Sequence, residues 1–182
     1  MIPQIETARL RLRNYQIRDL EPQAATLADP DVMRFLGGTP HSREDAWRRI
    51  LASHGLWDLL GFGYWVVERK ADGAYLGHVG FADFKRELAP SIEGLPEAGW
   101  IFAPQGQNQG YATEAVRAAL AWADDHLRAP QVTAIISHAN LPSIRVAEKC
   151  GFAAREEASY KGEPILLFRR YLPAPAMAAA SS

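Results

Sequence analysis

Leu10 and Leu12 alternate with Arg9, Arg11 and Arg13 and are followed by Tyr15, the two-residue period of a strand that buries one face. This is the expected first strand. Asp19 can cap a helix running toward Leu27 that Asp29-Pro30 ends, and Ser42-Arg43-Glu44-Asp45 has the form of a capped start for a second helix ending near His54-Gly55. Residues 64–68 and 75–81, on either side of Ala71-Asp72-Gly73, read as an antiparallel hairpin. Residues 85–96, with Pro90, Ser91 and Pro96, read as a loop, and Glu97 to Phe102 as the next strand. Residues 113–127 then place Val116, Leu120, Ala123 and Leu127 on one helical face, with Glu114, Arg117 and Asp125 on another. A buried strand at 132–137, a short helix at 142–149 and a closing hairpin of 152–160 and 165–171 around Gly162 complete the order. The strand-helix-strand crossover in the second half makes this a mixed α/β (α+β) arrangement.

At 182 residues with 48% apolar content, the chain can bury one sizeable core, so a single domain over residues 1–172 is expected. The Ala-, Pro- and Ser-rich stretch 173–182 has too little to bury and is expected to be a disordered tail. Twenty Lys and Arg against 21 Asp and Glu leave a formal charge of -1, which argues against a nucleic-acid partner and for a small molecule or a peptide end. A single cysteine, Cys150, excludes an internal disulfide framework; with no signal-peptide pattern at Met1-Ile2-Pro3-Gln4, a reducing, cytoplasmic setting is expected. No apolar run reaches the roughly 18 residues that span a bilayer, so no membrane association is expected. The five histidines lack metal-ligand spacing, and no metal site is assigned. Composition leaves a homodimer open.

Gln107-Asn108-Gln109-Gly110-Tyr111-Ala112 lies between the apolar run Trp100-Ile101-Phe102 and the helical pattern that begins at Thr113. The first N–H groups of a helix have no intrahelical acceptor and point back into such a turn, with the positive end of the helix dipole behind them. Gly110 supplies conformational freedom and Ala112 leaves little side chain in the way, so a pyrophosphate can approach the backbone. A glycine turn before a helix is also how ordinary connections are built, and the stretch alone leaves both readings open.

Residues 107–112 resemble the Q/R-x-x-G-x-G/A acyl-CoA motif of the GNAT superfamily of N-acyltransferases, followed here by Thr113-Glu114-Ala115. Thr7-Ala8-Arg9-Leu10-Arg11-Leu12-Arg13 and the run from Asn140 to Phe152 resemble the branch that includes the ribosomal-protein N-terminal acetyltransferases. Three separated motifs in the right order cover residues 7–172. The resemblance implies the GNAT fold, a mostly antiparallel, splayed, mixed sheet flanked by helices. It also implies acetyl-CoA as cosubstrate, its pantetheine arm lying in the splay, with a bulge expected at Gly99. The expected transfer is direct, in a ternary complex, to a primary amine of a protein N-terminus or a small molecule.

The same resemblance implies the roles. Ile101, Phe102 and Ala103 offer backbone groups to the pantetheine amides, and Gln107, Asn108, Gln109, Gly110, Tyr111, Ala112 and Thr113 form the phosphate turn. Asn140 orients the pantetheine, while Lys149 or Arg145 is placed near the terminal phosphate. Glu97, in Glu97-Ala98-Gly99-Trp100, is the candidate base, through a water, with Glu157 in reserve. Relatives often carry a tyrosine acid seven residues beyond the Asn; this chain has Ala147 there, leaving Ser143 as the candidate acid or, alternatively, a helix cap. Cys150 reads as packing. Phe35, Trp57, Trp65, Phe81 and Phe84 are expected around the acceptor or in the core, and Asp83, Glu87 and Glu93 are candidates to hold a cationic acceptor. The missing tyrosine and the arginine-free turn motivate an alternative, a non-catalytic acyl-CoA-binding module.

Overall fold

Both leucines of the strand Leu10–Arg13 (β2) are fully buried, as the alternation predicts, and Ile5–Glu6 (β1) pairs antiparallel beside it. The opposite face is not solvated. Arg11 and Arg13 converge on the buried Glu68 carboxylate at 2.9 and 2.7 Å, and Arg13 also forks onto Asp19, with both contacts at 2.8 Å. Burying these charges is tolerable because each carboxylate is matched by guanidinium donors.

The first half of the chain, in the computed structural model that describes residues 1–173, adds three helices. Asp29 ends Leu20–Ala28 (α1) and caps Pro30–Met33 (α2) by accepting from the Asp31 N–H, while Pro30 takes the first helical position, where no amide donor is needed. Ser42 and Asp45 cap Arg43–Leu60 (α3) reciprocally, and that helix passes through Gly55 instead of stopping near it. It ends at Gly61, whose φ of 75° supplies the left-handed residue a helix C-terminus favours.

Tyr64–Arg69 (β3) and Tyr75–Ala82 (β4) form the expected hairpin. Leu88–Ala89 (β5) is a short strand inside the segment read as loop. Glu97–Phe102 (β6), Tyr111–His126 (α4), Gln131–Ile136 (β7), Leu141–Lys149 (α5), Ala154–Tyr160 (β8) and Glu163–Tyr171 (β9) follow. The strands form one sheet in the order β1-β2-β3-β4-β6-β7-β9-β8-β5, in which β6 and β7 are parallel and every other pair is antiparallel.

One face packs on α4 and the other on α1 and α3, so the sheet carries an apolar cluster on each side. Trp65 and Phe81 lie in the α4 cluster, edge to face with each other at 6.3 Å, and Trp122 closes over both. Truncating a buried aromatic of this kind to alanine costs about 3–5 kcal/mol. The bulge expected at Gly99 is absent, because β4 and β6 pair in unbroken register. The register shift falls instead between Val67 and Glu68, opposite Gly77 on β4. Gly77 has a φ of 146°, and a Cβ there would lie 2.1 Å from the Ile101 carbonyl oxygen, so glycine is required for the two strands to approach. The expected tail lies, apart from Pro173, outside the described residues. Among those residues no helix is long and apolar enough to cross a membrane.

Candidate active site

The parallel strands β6 and β7 meet at a single position, Glu97 opposite Thr133, where the Thr133 N–H donates to the Pro96 carbonyl at 2.9 Å. Beyond it they part. The Ala103 N–H donates to the Leu76 carbonyl at 2.9 Å, which in antiparallel alternation turns the main chain of Ala103 and Ile101 toward β4. Trp100 and Phe102 therefore present their backbone groups to the opening. Of the three residues expected to do so, Phe102 faces the opening with its N–H, its carbonyl being taken by Gln107, while the main chain of Ile101 and Ala103 is turned to β4. Trp100 was missed, although period-two counting from Phe102 points to it.

The opening widens into a cleft of about 480 Å³ that β6, the turn before α4 and the start of α5 line together. Asn108 and Gly110 both adopt left-handed backbone, at φ of 58° and 79°, and Gly110 is the residue before α4 with no side chain capping it. The first N–H groups of α4 are thus left facing the cleft, as an anion site requires. Gln107, Asn108, Gly110, Ala112, Thr113, Asn140, Ser143, Arg145 and Lys149 line it. Gln107 holds the turn to the strand, its amide donating to the Phe102 carbonyl at 2.9 Å. The side chains of Gln109 and Tyr111 do not line it: Gln109 bonds back to the Gln105 carbonyl, and Tyr111 is buried beneath the Arg9 guanidinium, 4.4 Å from its ring centroid.

Arg9 was missed as part of this turn. Its side chain donates to the Gln109 carbonyl at 3.0 Å and to Glu114 at 2.7 Å, while Thr7 donates to the same carboxylate at 2.6 Å. The N-terminal Thr-x-Arg thus lashes the turn and the first turn of α4. Its signal, Thr7 and Arg9 with an acid at Glu114, is visible only once these segments are known to be neighbours.

At α5 the cap is Asn140, whose side-chain oxygen accepts from the Ser143 N–H at 3.2 Å. The Ser143 side chain is therefore not the cap and lines the cleft. Ala147 is fully buried in the core. Burial pushes the Cys150 thiol up to about 11, away from nucleophilic character, and its sulfur contacts the Thr113 carbonyl.

Glu97 is itself the pinning residue and does not line the cleft; it is 5% exposed, with its carboxylate clasped by two nitrogens of Arg86 at 2.7 and 3.0 Å. Burial raises its pKa above the ordinary value, and Arg86 opposes the rise. Glu157 is exposed, paired with His138 at 3.0 Å, and does not line the cleft.

The aromatic wall also differs from expectation. Trp57, Trp65 and Phe81 pack around Trp122 on the α4 side, and of the five aromatics expected there Phe35 alone lines the cleft, beside Trp100 and Phe102. On the α1/α3 side Tyr64 lies edge-on to His78 at 5.6 Å and stacks on Phe84 at 6.5 Å. Tyr15 is 6.4 Å from His78. Of the acids expected to hold a cation, Asp83 and Glu93 are both drawn to Lys85.

Burial lowers the pKa of His78 to about 3, with the nearby Arg49 charge adding to the effect. Between that value and the unfolded value of about 6.5 the unfolded chain binds the extra proton, so stability is present at pH 7 and is lost as pH falls through this window. The melting temperature is expected to drop from pH 7 to pH 5 more steeply than in His78→Gln. Equal slopes in the two proteins would assign the acid sensitivity elsewhere.

Among the described residues no cluster of three or more His, Cys, Asp or Glu side chains is placed to hold a metal ion. Residues 9–153 match the family model for the acetyltransferase (GNAT) domain. The protein YkkB of Bacillus subtilis (strain 168) is 31% identical over 167 residues, covering 90% of this chain and 93% of its own length. A solved structure assigned to the GnaT acetyltransferase family, from Bordetella pertussis, superposes with a TM-score of 0.79 at 30% identity, over 93% of this chain and 99% of that one. The ribosomal L7/L12 alpha-N-protein acetyltransferase RimL, solved in complex with coenzyme A, shares the fold at a TM-score of 0.72 and 13% identity, over 93% and 98% of the two chains. A sheet opened between two parallel strands, beside a helix that starts from a glycine turn, is thus found together with a family match over most of its length: the chain belongs to the GNAT acetyltransferases.

Proposed function

We propose that the protein is an acetyl-CoA-dependent N-acetyltransferase that transfers the acetyl group directly to a primary amine, of a protein N-terminus or a small molecule. The observation that carries this reading is the coincidence of two features: the Trp100 backbone groups and the Phe102 N–H left open by the strand splay, and helix N–H groups left open beside Gly110. Together they fit an arm with two amides that ends in a pyrophosphate. Lys149 and Arg145, at the α5 side of the cleft, suit the terminal phosphate.

Acetyl-CoA supplies the thioester carbonyl. Glu97 takes the proton of the incoming ammonium through a water, and the amine nitrogen then forms the C–N bond as the C–S bond breaks. The acylated nitrogen gives up its second proton to water as the C–S bond breaks, the Ser143 hydroxyl passes a proton to the departing thiolate and is reprotonated from that water, and Asn140 holds the arm. The fully buried Ala147 favours the competing reading, a module that binds acyl-CoA without turnover.

At about 100 times its dissociation constant, acetyl-CoA is expected to stabilise the fold by about 2.7 kcal/mol and raise the melting temperature, while NAD does not. Amine-dependent release of the free CoA thiol then separates enzyme from module. A shift with NAD and none with acetyl-CoA would overturn the assignment, and a shift with acetyl-CoA but no release across a broad amine panel would favour the module.

A further inference from the structure

The α1/α3 face of β6 carries a polar cluster of which the acetyl-transfer steps use Glu97 alone. Glu97, Gly99 and Ile101 share that face by strand alternation. The Tyr64 hydroxyl lies against Gly99, 2.5 Å from where a Cβ would stand, so the phenol reaches the middle of the strand that borders the cleft. Tyr15 and His78 continue the cluster, His78 standing opposite Ile101 on β4. Burial raises the pKa of both phenols, and neither draws on a hydrogen bond. The His78 Nδ1 atom is buried without a partner, and so is His41 Nδ1.

Above this cluster stands α3. Ser53 donates to the Tyr64 carbonyl at 3.1 Å, and Arg49 lies one helical turn before Ser53 on the same side. The Arg49 charge is felt at Tyr15, Tyr64, His78 and His41. Among the described residues Arg49 has no carboxylate partner. Three acids of the neighbouring elements have cations of their own: Glu97 has Arg86, Asp83 has Lys85, and Asp45 has Arg48. Arg49 thus brings an unpaired cation beside two phenols that no side chain bonds.

We propose that the acceptor amine carries a carboxylate a few bonds away, and that Arg49 with the Tyr15 and Tyr64 hydroxyls receives it. This rests on the acetyltransferase reading. A carboxylate against the Arg49 guanidinium gains charge-assisted bonds. A polyamine there would meet Arg49 with no acid to balance it.

The test measures amine-dependent CoA release from the full chain with amino acids, the matching amino-acid amides, spermine, and two peptides beginning Ser-Asp or Ser-Lys. Carboxylate-bearing acceptors are expected to exceed their amides by about 10- to 100-fold in kcat/KM. Arg49→Gln should erase that ratio by raising the acceptor KM while the acetyl-CoA KM stays unchanged, and Arg49→Lys should keep part of it. Preference for free amino acids assigns a free carboxylate, and preference for the Ser-Asp peptide assigns a side-chain one at a protein end. Amides or spermine turned over as well as the acids, or an unchanged ratio in Arg49→Gln, would overturn the proposal and leave acetyl transfer standing. No turnover of any amine, with the acetyl-CoA melting shift intact, would overturn both.

Discussion

Replacing Glu97 by glutamine is expected to lower turnover at neutral pH by about 10²- to 10⁴-fold while the acetyl-CoA melting shift persists. Glutamine keeps the size of the side chain and loses its basicity, so the acceptor must arrive already neutral. The deficit should shrink as pH rises and the solution supplies more neutral amine. A second effect has to be separated, because glutamine leaves Arg86 with no carboxylate in a site where Glu97 is 5% exposed. Removing one partner of such a pair costs about 3–5 kcal/mol, whereas replacing both by apolar groups is often neutral. The double variant Glu97→Leu/Arg86→Met is thus expected to recover the melting temperature but not the turnover. Recovery of both would make the pair a structural clasp and take Glu97 out of the chemistry.

Gly110→Val is expected to weaken acetyl-CoA binding by about 100-fold or more, with a smaller loss of stability of about 1–2 kcal/mol from a branched side chain at positive φ. The structure explains why the two losses are unequal. A Cβ at Gly110 meets nothing closer than the Arg9 guanidinium at 3.5 Å, so the fold has room for it, but that room borders the N–H groups of α4. Calorimetric titration with acetyl-CoA gives the affinity, and thermal melts without ligand give the stability. Gly110→Ala should fall between wild type and valine in both. If affinity and stability fell in proportion, the glycine would serve the turn and not the ligand.

Much of this was legible in the chain. The order of strands and helices follows from period, and the glycine turn before α4 follows from Gln107 to Thr113. What sequence could not supply was the choice of face. β3 and β4 are covered on both sides, so Trp65 and Phe81 look the same whether they wall a cleft or fill the core, and only the position of α4 decides. The glycines show a similar limit. Gly55 reads as a helix stop and Gly99 as a bulge, but the left-handed stop is at Gly61 and the close approach is at Gly77, because only three-dimensional crowding distinguishes a required glycine from a tolerated one. The partner of Glu97 was hidden for another reason. Arg86 lies in an irregular segment, where no periodicity says which way a side chain points.

The lash of Thr7 and Arg9 onto Glu114 joins residues 107 and 105 positions apart. Contacts of such high separation form late, because the loop-closure entropy must be overcome before they contribute. The turn before α4 therefore acquires its final support only after the first strand has docked, and on the proposed function acetyl-CoA affinity is expected to report the last stage of folding. A fusion or deletion that disturbs residues 1–9 acts at the opposite end of the sequence from the cleft it weakens.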